Sequence, residues 1–117
     1  MNRKIFSYLE IAAKAALGKE LITRNFIHGA VGIRKDGAIV KSLNSSSEVP
    51  NRKLHSEYRV CAKMDFGGEV YVARVRLDTM EFGISKPCKD CIKVMTHRGV
   101  KRVYYTIGPD EYGVIYL

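Results

Sequence analysis

The sequence predicts a three-layer α/β/α sandwich around a mixed five-stranded sheet, folded as one domain over residues 1–117. Helix-like and strand-like segments alternate in the order helix, strand, strand, helix, strand, helix, strand, strand. This order is typical of a sheet with helices on its faces, and the length suits one domain. Only a handful of residues joins the last two strands, whereas a parallel crossover needs about a dozen or more. The last pair is therefore predicted to be an antiparallel hairpin.

The first half of the chain predicts one helix followed by a β-hairpin. Apolar residues recur at three- and four-residue spacing over Arg3–Leu17, as in an amphipathic helix, and Gly18 follows as a stop signal. Two β-rich runs, Phe26–Arg34 and Ala38–Leu43, flank an Asp-Gly dipeptide that is typical of hairpin turns. Residues 44–51 have the composition of a loop.

The second half of the chain predicts two further helices and three further strands. The helices run from Leu54 to about Asp65 and from Cys88 to about Arg98, the second one opened by a proline and closed by a glycine. The strands are Glu69–Leu77, Lys101–Thr106 and Tyr112–Leu117.

Composition favours a folded, cytoplasmic protein without a membrane partner. Hydrophobic residues make up 46% of the chain and charged residues 27%, which is ordinary for a soluble domain. Glu10 and Lys14 interrupt any apolar core of a signal peptide, and no run is long and apolar enough to span a bilayer. Two of the three cysteines form a C-x-x-C pair, which indicates metal or redox chemistry rather than a disulfide framework.

Two short motifs, His55–Glu57 and Pro87–Cys91, stand at the starts of the second and third predicted helices. A catalytic zinc takes three nitrogen or thiolate ligands from the protein and keeps a fourth position for water. Cys88 and Cys91 lie about one helical turn apart, so both thiols can face one ion. His55 completes a His-Cys-Cys ligand set. The positive end of a helix favours the thiolate form of each cysteine.

Glu57 is the candidate for proton transfer, because it lies two residues from His55 without being needed as a ligand. Water bound to zinc becomes acidic near pH ~7. A neighbouring carboxylate can take its proton, pass it to a ring nitrogen and later protonate a departing amine.

Basic residues lie beside both motifs. The chain has 20 Lys and Arg against 12 Asp and Glu, a formal charge of +8, which favours anionic partners. Arg52 and Lys53 precede the first motif, and Lys86 and Lys89 flank Cys88. These four are candidates for contact with phosphate or nucleic acid, and the alternative is a solvated rim.

The chain resembles the cytidine deaminase-like superfamily over nearly its whole length. The pattern H-x-E…P-C-x-x-C is a signature of zinc nucleobase deaminases, and here Ser56 replaces the usual alanine of H-A-E. Further matches are Gly29–Gly32 in the first strand, Ser85–Cys91 around the second motif and Val103–Tyr105 in the strand that follows it. The predicted terminal hairpin also suits a sheet of cytidine deaminase type.

The resemblance implies hydrolysis at C4 of cytosine, or C6 of adenine, with release of ammonia and with Zn²⁺ as the cofactor. Asn44 matches the asparagine that contacts the substrate's sugar in the family, and the backbone at Ser56 and Pro87 is expected to help hold the base. Deaminases of this fold often assemble as dimers or tetramers, so a homo-oligomer is an expectation by analogy.

Two features indicate different substrates. A histidine as the first ligand resembles deoxycytidylate, tRNA adenosine and polynucleotide-editing deaminases, since free-cytidine deaminases usually carry cysteine. Those groups usually place a helix between the last two strands, but the link Ile107–Glu111 is too short for one and resembles the hairpin of free-cytidine deaminases. The combination resembles compact deaminases of phage and toxin type. It favours cytosine over adenine, in a substrate that carries phosphate.

The sequence leaves several alternatives open. The substrate is a cytidine or deoxycytidine nucleoside or nucleotide, or cytosine in single-stranded DNA or RNA, with adenine in nucleic acid as a further alternative. A non-enzymatic, zinc-stabilised interaction module needs a fourth ligand, for which Cys61, His28 and His97 are the candidates. A C-x-x-C redox pair without zinc is another reading.

Overall fold

Two helices and six strands make up the described part of the chain. The computed structural model describes residues 3–17, 26–43, 64, 67–76, 78–87 and 89–117. The helices are α1 (Arg3–Leu17) and α2 (Lys89–His97). The strands are β1 (Phe26–Ile33), β2 (Ile39–Leu43), β3 (Glu69–Arg76), β4 (Phe82–Gly83), β5 (Arg102–Gly108) and β6 (Glu111–Tyr116). The helix predicted from Leu54 lies outside the described residues except for Met64.

The sheet is mixed, as predicted. Its strands follow the order β2-β1-β3-β5-β6, and β4 pairs with β3 away from this path. Only β3 and β5 are parallel, and the other pairs are antiparallel. The final β5–β6 hairpin is confirmed, with a register shift between Thr106 and Gly108. The five predicted strands are all present. The two-residue β4 is an addition that is too short to give an alternating pattern in the sequence.

Helix α1 covers one face of the sheet. Its residues Leu9 and Ala12 are fully buried, while Glu10 and Lys14 are exposed. The buried side packs in one cluster with alternate sheet residues: Val31, Tyr71, Ala73, Val75 and Tyr104. The periodicity that predicted this helix therefore marks the side that loses contact with water.

A group of stacked tyrosines forms the centre of this first layer. The rings of Tyr71 and Tyr104 are parallel within 8°, with centroids 4.7 Å apart. Burial, with the nearby Glu69 carboxylate as a smaller cause, raises the pKa of Tyr71 far above its usual value. Glu69 also pairs with Arg102 across the parallel strands, with 2.7 Å between the carboxylate oxygen and Nε.

Helix α2 covers the opposite face. Its buried residues Cys91 and Met95 pack in a second cluster with the intervening sheet residues, which are Ala30, Val70, Val72 and Val103. Consecutive residues of β3 thus point to opposite layers and both sets are buried. The three-layer arrangement predicted from the sequence is what the structure has. Within the described residues, neither helix is long and apolar enough to cross a membrane.

The parallel strands separate beyond Val72 and Tyr105, where their ladder ends. The segment Gly83–Ser85 fills the space between them. On one side Gly83 pairs with Arg74 of β3. On the other side the amide of Ser85 donates to the carbonyl of Thr106 over 2.9 Å. The segment that leads into α2 is therefore held between both strands.

Two buried hydroxyl groups hold this segment. Ser85 and Thr106 are 5% and 0% exposed, and their hydroxyl oxygens lie 2.9 Å apart. The Thr106 hydroxyl donates to the Gly83 carbonyl over 2.6 Å, and the Thr106 amide donates to Ser85 Oγ over 2.9 Å. Ser85 Oγ also donates to the Val72 carbonyl over 3.0 Å. We call Ser85 and Thr106 the hydroxyl pair.

At Gly68, directly before β3, the chain passes so close to the end of β1 that only glycine fits. A Cβ atom on Gly68 would lie 2.7 Å from the Ile33 carbonyl oxygen and would collide with the end of the Met64 side chain. Because a carbonyl in a strand cannot move away freely, we expect Gly68→Ala to lower the free energy of unfolding by about 1–3 kcal/mol.

Gly83→Ala is the matched control, since a Cβ on Gly83 meets nothing within 4 Å. It should change stability by no more than about 0.5 kcal/mol. Urea unfolding followed by circular dichroism measures both variants, and equal stabilities for the two would contradict the close packing at Gly68.

Thr106→Val tests the hydroxyl pair, because valine keeps the shape of the side chain and removes the donor to Gly83. The part-buried Gly83 carbonyl would lose this donor. Because an unsatisfied buried polar group costs about 1–3 kcal/mol, we expect a loss of up to that size in urea unfolding. The control is Thr96→Val, which removes an exposed hydroxyl that bonds to the Ile92 carbonyl and that water can replace. A loss no greater than that of the control would show that the buried bonds contribute nothing.

Candidate active site

The described structure includes part of the predicted site. Pro87 and Cys91 are buried, and Lys86 and Lys89 are exposed. The remaining site residues lie outside the described residues: Asn44, Arg52, Lys53, His55, Ser56, Glu57 and Cys88. Of the two motifs, the structure describes only the second, without Cys88.

The second motif has one buried side and one exposed side. Ser85 and Pro87 point into the protein, and Lys86 between them points out. At the start of α2 the same division continues, with Lys89 exposed and Cys91 at 2% exposure. The thiol of Cys91 thus faces the interior, whereas the two lysines face solvent.

The hydroxyl pair fixes where this motif begins. Ser85 lies two residues before Pro87, and its amide and hydroxyl both bond to β5 or β3. The chain then enters α2, whose buried residues Cys91 and Met95 pack against the sheet. The position of Cys91 is therefore set from both directions along the chain. Thr106 was predicted only as a strand residue, because a hydroxyl pair formed between distant segments has no local sequence signal.

Cys91 has the properties of a metal ligand and also those of a core residue. It lies in the first turn of α2, is not in a disulfide and packs in the apolar cluster on that face. The helix N-terminus favours a thiolate, while an apolar environment opposes one. A bound cation would resolve that opposition, because a buried charge needs a partner. The soft, buried thiol of Cys91 fits a zinc ion on these grounds.

Of the other candidate metal ligands, some lie among the described residues and some do not. Among the residues that the structure describes, no three His, Cys, Asp or Glu side chains come close enough to hold a metal together. His55 and Cys88, which complete the predicted set, are not among those residues. His97 is exposed and lies six residues beyond Cys91 on α2, about 9 Å along the helix axis. It is thus not brought to Cys91 as the fourth ligand of a structural site.

Solved structures with the same architecture are cytidine and deoxycytidylate deaminases. A cytidine deaminase from Burkholderia pseudomallei aligns with a TM-score of 0.68 at 21% identity, covering 99% of this chain and 93% of its own. A cytidine deaminase from Mycobacterium leprae aligns with a TM-score of 0.61 at 18% identity, covering 97% and 94%. The dCMP deaminase of cyanophage S-TIM5 aligns with a TM-score of 0.57 at 22% identity, covering 92% and 86%.

Comparison of sequences gives a different result, since no family model and no curated protein matches the chain. The likeness therefore lies in the three-dimensional arrangement, and it extends over nearly the whole length of both proteins. The chain has the fold of the cytidine deaminase-like superfamily.

Proposed function

We propose that this protein is a zinc-dependent hydrolytic deaminase that converts cytosine to uracil and releases ammonia. A fold by itself is compatible with many functions, so the residues must carry the chemistry. The observation that carries this proposal is the position of the P-C-x-x-C motif. In a chain with the cytidine deaminase fold, Pro87 and Cys91 are buried at the start of the helix that covers one sheet face.

In this proposal His55, Cys88 and Cys91 would hold a zinc ion. As a Lewis acid, the ion would make water acidic enough to react at neutral pH. The Glu57 carboxylate accepts a proton from the attacking water and transfers it to the ring nitrogen. Glu57 then takes the second proton from the hydroxyl that has added to the ring carbon and gives it to the amine. The C–N bond breaks as the C–O bond becomes a carbonyl, so water and the aminopyrimidine become uracil and ammonia.

Substrate binding in this proposal uses the residues that resemble those of the superfamily. Asn44 contacts the sugar, and the backbone at Ser56 and Pro87 holds the base. The exposed Lys86 and Lys89 stand next to this site in the chain and supply positive charge for a phosphate. Of the three structural neighbours named above, two are described as cytidine deaminases and one as a dCMP deaminase, which supports cytosine as the base. The alternatives are adenine in nucleic acid and a non-enzymatic zinc module.

We also propose a cellular location and an assembly for this protein. A cysteine pair that binds metal must stay reduced, which suits the cytoplasm, where thiols are kept reduced. Assembly into a homo-oligomer is proposed by analogy with deaminases of this fold.

Glu57→Gln tests the reaction. We expect purified, zinc-loaded protein to release ammonia from cytidine, deoxycytidine, their monophosphates or a cytosine-containing oligonucleotide, with adenosine as the comparison base. Loss of the proton-transferring carboxylate should lower kcat by about 100-fold to 10,000-fold. Zinc content measured on the same samples is the control. Undiminished function in Glu57→Gln, or no ammonia from any substrate with zinc bound, would favour the non-enzymatic module.

Cys91→Ala tests the ligand set, with Cys61→Ala as the control that removes another thiol. We expect the protein to carry one zinc per chain by atomic absorption, as a three-ligand site predicts. Cys91→Ala should lose most of this zinc and Cys61→Ala should retain it. Loss of zinc in both variants would indicate a four-ligand structural site instead, and retention in both would remove Cys91 from the ligand set.

A further inference from the structure

Half of the protein's net positive charge lies in one short stretch of the chain. Between residues 86 and 101 there are five lysines and arginines and one carboxylate, Asp90, a net charge of +4 against +8 for the whole chain. All five cations are exposed, as is a histidine at the end of α2. We call this set the basic surface; its members are Lys86, Lys89, Lys93, His97, Arg98 and Lys101.

Helical geometry places the centre of the basic surface on the outer side of α2. Lys89, Lys93 and His97 are spaced four residues apart, so they lie along one side of the helix at intervals of about 6 Å. Cys91 and Met95 each follow one of these lysines by two residues, about 200° around the axis. Because Cys91 and Met95 are buried against the sheet, the basic side chains point away from the protein.

The basic surface begins at the candidate active site and extends away from it. Lys86 directly precedes the second motif and Lys89 lies within it, and His97 lies about 12 Å farther along the helix axis than Lys89. Lys101 continues the surface beyond α2. It directly precedes β5, and its amide donates to the carbonyl of Gly68, which directly precedes β3. A single nucleotide bound at the motif is too short to reach its far end, whereas a polymer is long enough.

Helix α1 provides a comparison on the opposite layer. Its exposed residues also include cations, Lys4 and Lys14 among them, but Glu10 lies between these two along the helix. Helix α2 also has one carboxylate, the half-buried Asp90, but four exposed lysines and arginines lie between residues 86 and 98, so positive charge is denser there. The asymmetry between the two layers is not explained by solubility, which an even distribution of charge would serve as well.

We infer that the basic surface binds the phosphate backbone of single-stranded nucleic acid whose cytosine occupies the candidate active site. A series of exposed cations along one segment suits a polymer with a charge on every nucleotide, and proteins that bind single strands follow the backbone with such a surface. A single strand suits such a site, because its base need not be taken out of a duplex stack before it enters. The inference deepens the proposed function and rests on it for the identity of the base.

The test is a salt titration of binding to fluorescein-labelled single-stranded DNA and RNA, followed by fluorescence anisotropy in the absence of turnover. The variant is Lys93→Gln/Lys101→Gln, which leaves the second motif unchanged. Each phosphate contact on a single strand contributes about 0.7 to the slope of log K against log salt. The variant should therefore reduce the slope by about 1.4 and weaken binding about tenfold or more near 0.1 M salt.

Lys4→Gln/Lys14→Gln removes the same charge from the opposite layer and is the matched control. The inference holds if this control binds like the unmodified protein while the α2 variant loses affinity and slope. It is overturned if both double variants bind alike. It is also overturned if polyglutamate of equal charge displaces the oligonucleotide as well as an unlabelled strand does, since the surface would then prefer no nucleic acid.

Catalysis separates this inference from the proposed function. If the inference is right, the α2 variant should raise KM for an oligonucleotide and leave turnover of a cytosine mononucleotide unchanged. Normal mononucleotide turnover with unaltered oligonucleotide binding would overturn the basic surface and leave the deaminase intact. Strand binding that depends on the basic surface, in a protein without deaminase activity, would support the surface and remove the proposed reaction.

Discussion

The burial of β3 on both faces is the constraint from which the rest of this structure follows. Val70 and Val72 face one layer, and Tyr71, Ala73 and Val75 face the other, all with little or no exposure. Such a strand is stable only if both faces are covered, which requires one helix on each side. Its parallel pairing with β5 requires in addition a long crossover, and α2 lies within that crossover. The helix that carries the second motif is therefore also the one that closes the core.

This double role explains how the candidate site is organised. A helix that closes a core must have a buried side and a solvent side, and in α2 the thiol lies on the first and the lysines on the second. A buried thiol and exposed cations thus lie within a few residues of each other, which the proposed zinc ligand and the proposed phosphate contacts both require. The hydroxyl pair holds the segment that leads into α2 in place, because Ser85 bonds to both β3 and β5.

Local patterns predicted most of the fold. The bounds of α1 agree with its apolar periodicity, and the strands begin and end within about two residues of the predicted limits, the usual uncertainty of such boundaries. The strand β4 and the hydroxyl pair were not predicted, because both depend on two parallel strands separating after Val72. The spacing of Cys88 and Cys91 is local and could be read directly. Their relation to His55 depends on packing between distant segments, so the ligand set remains a prediction supported by resemblance.

The hydroxyl pair has a consequence for how the pH dependence of this protein is to be interpreted. Neither a serine nor a threonine hydroxyl ionises in the range where proteins remain folded, and the partners of this pair are backbone groups, which do not titrate either. The anchorage of the second motif is therefore the same in acid and in mild base. A pH dependence of the proposed activity is therefore not expected to arise from the hydrogen bonds of the hydroxyl pair.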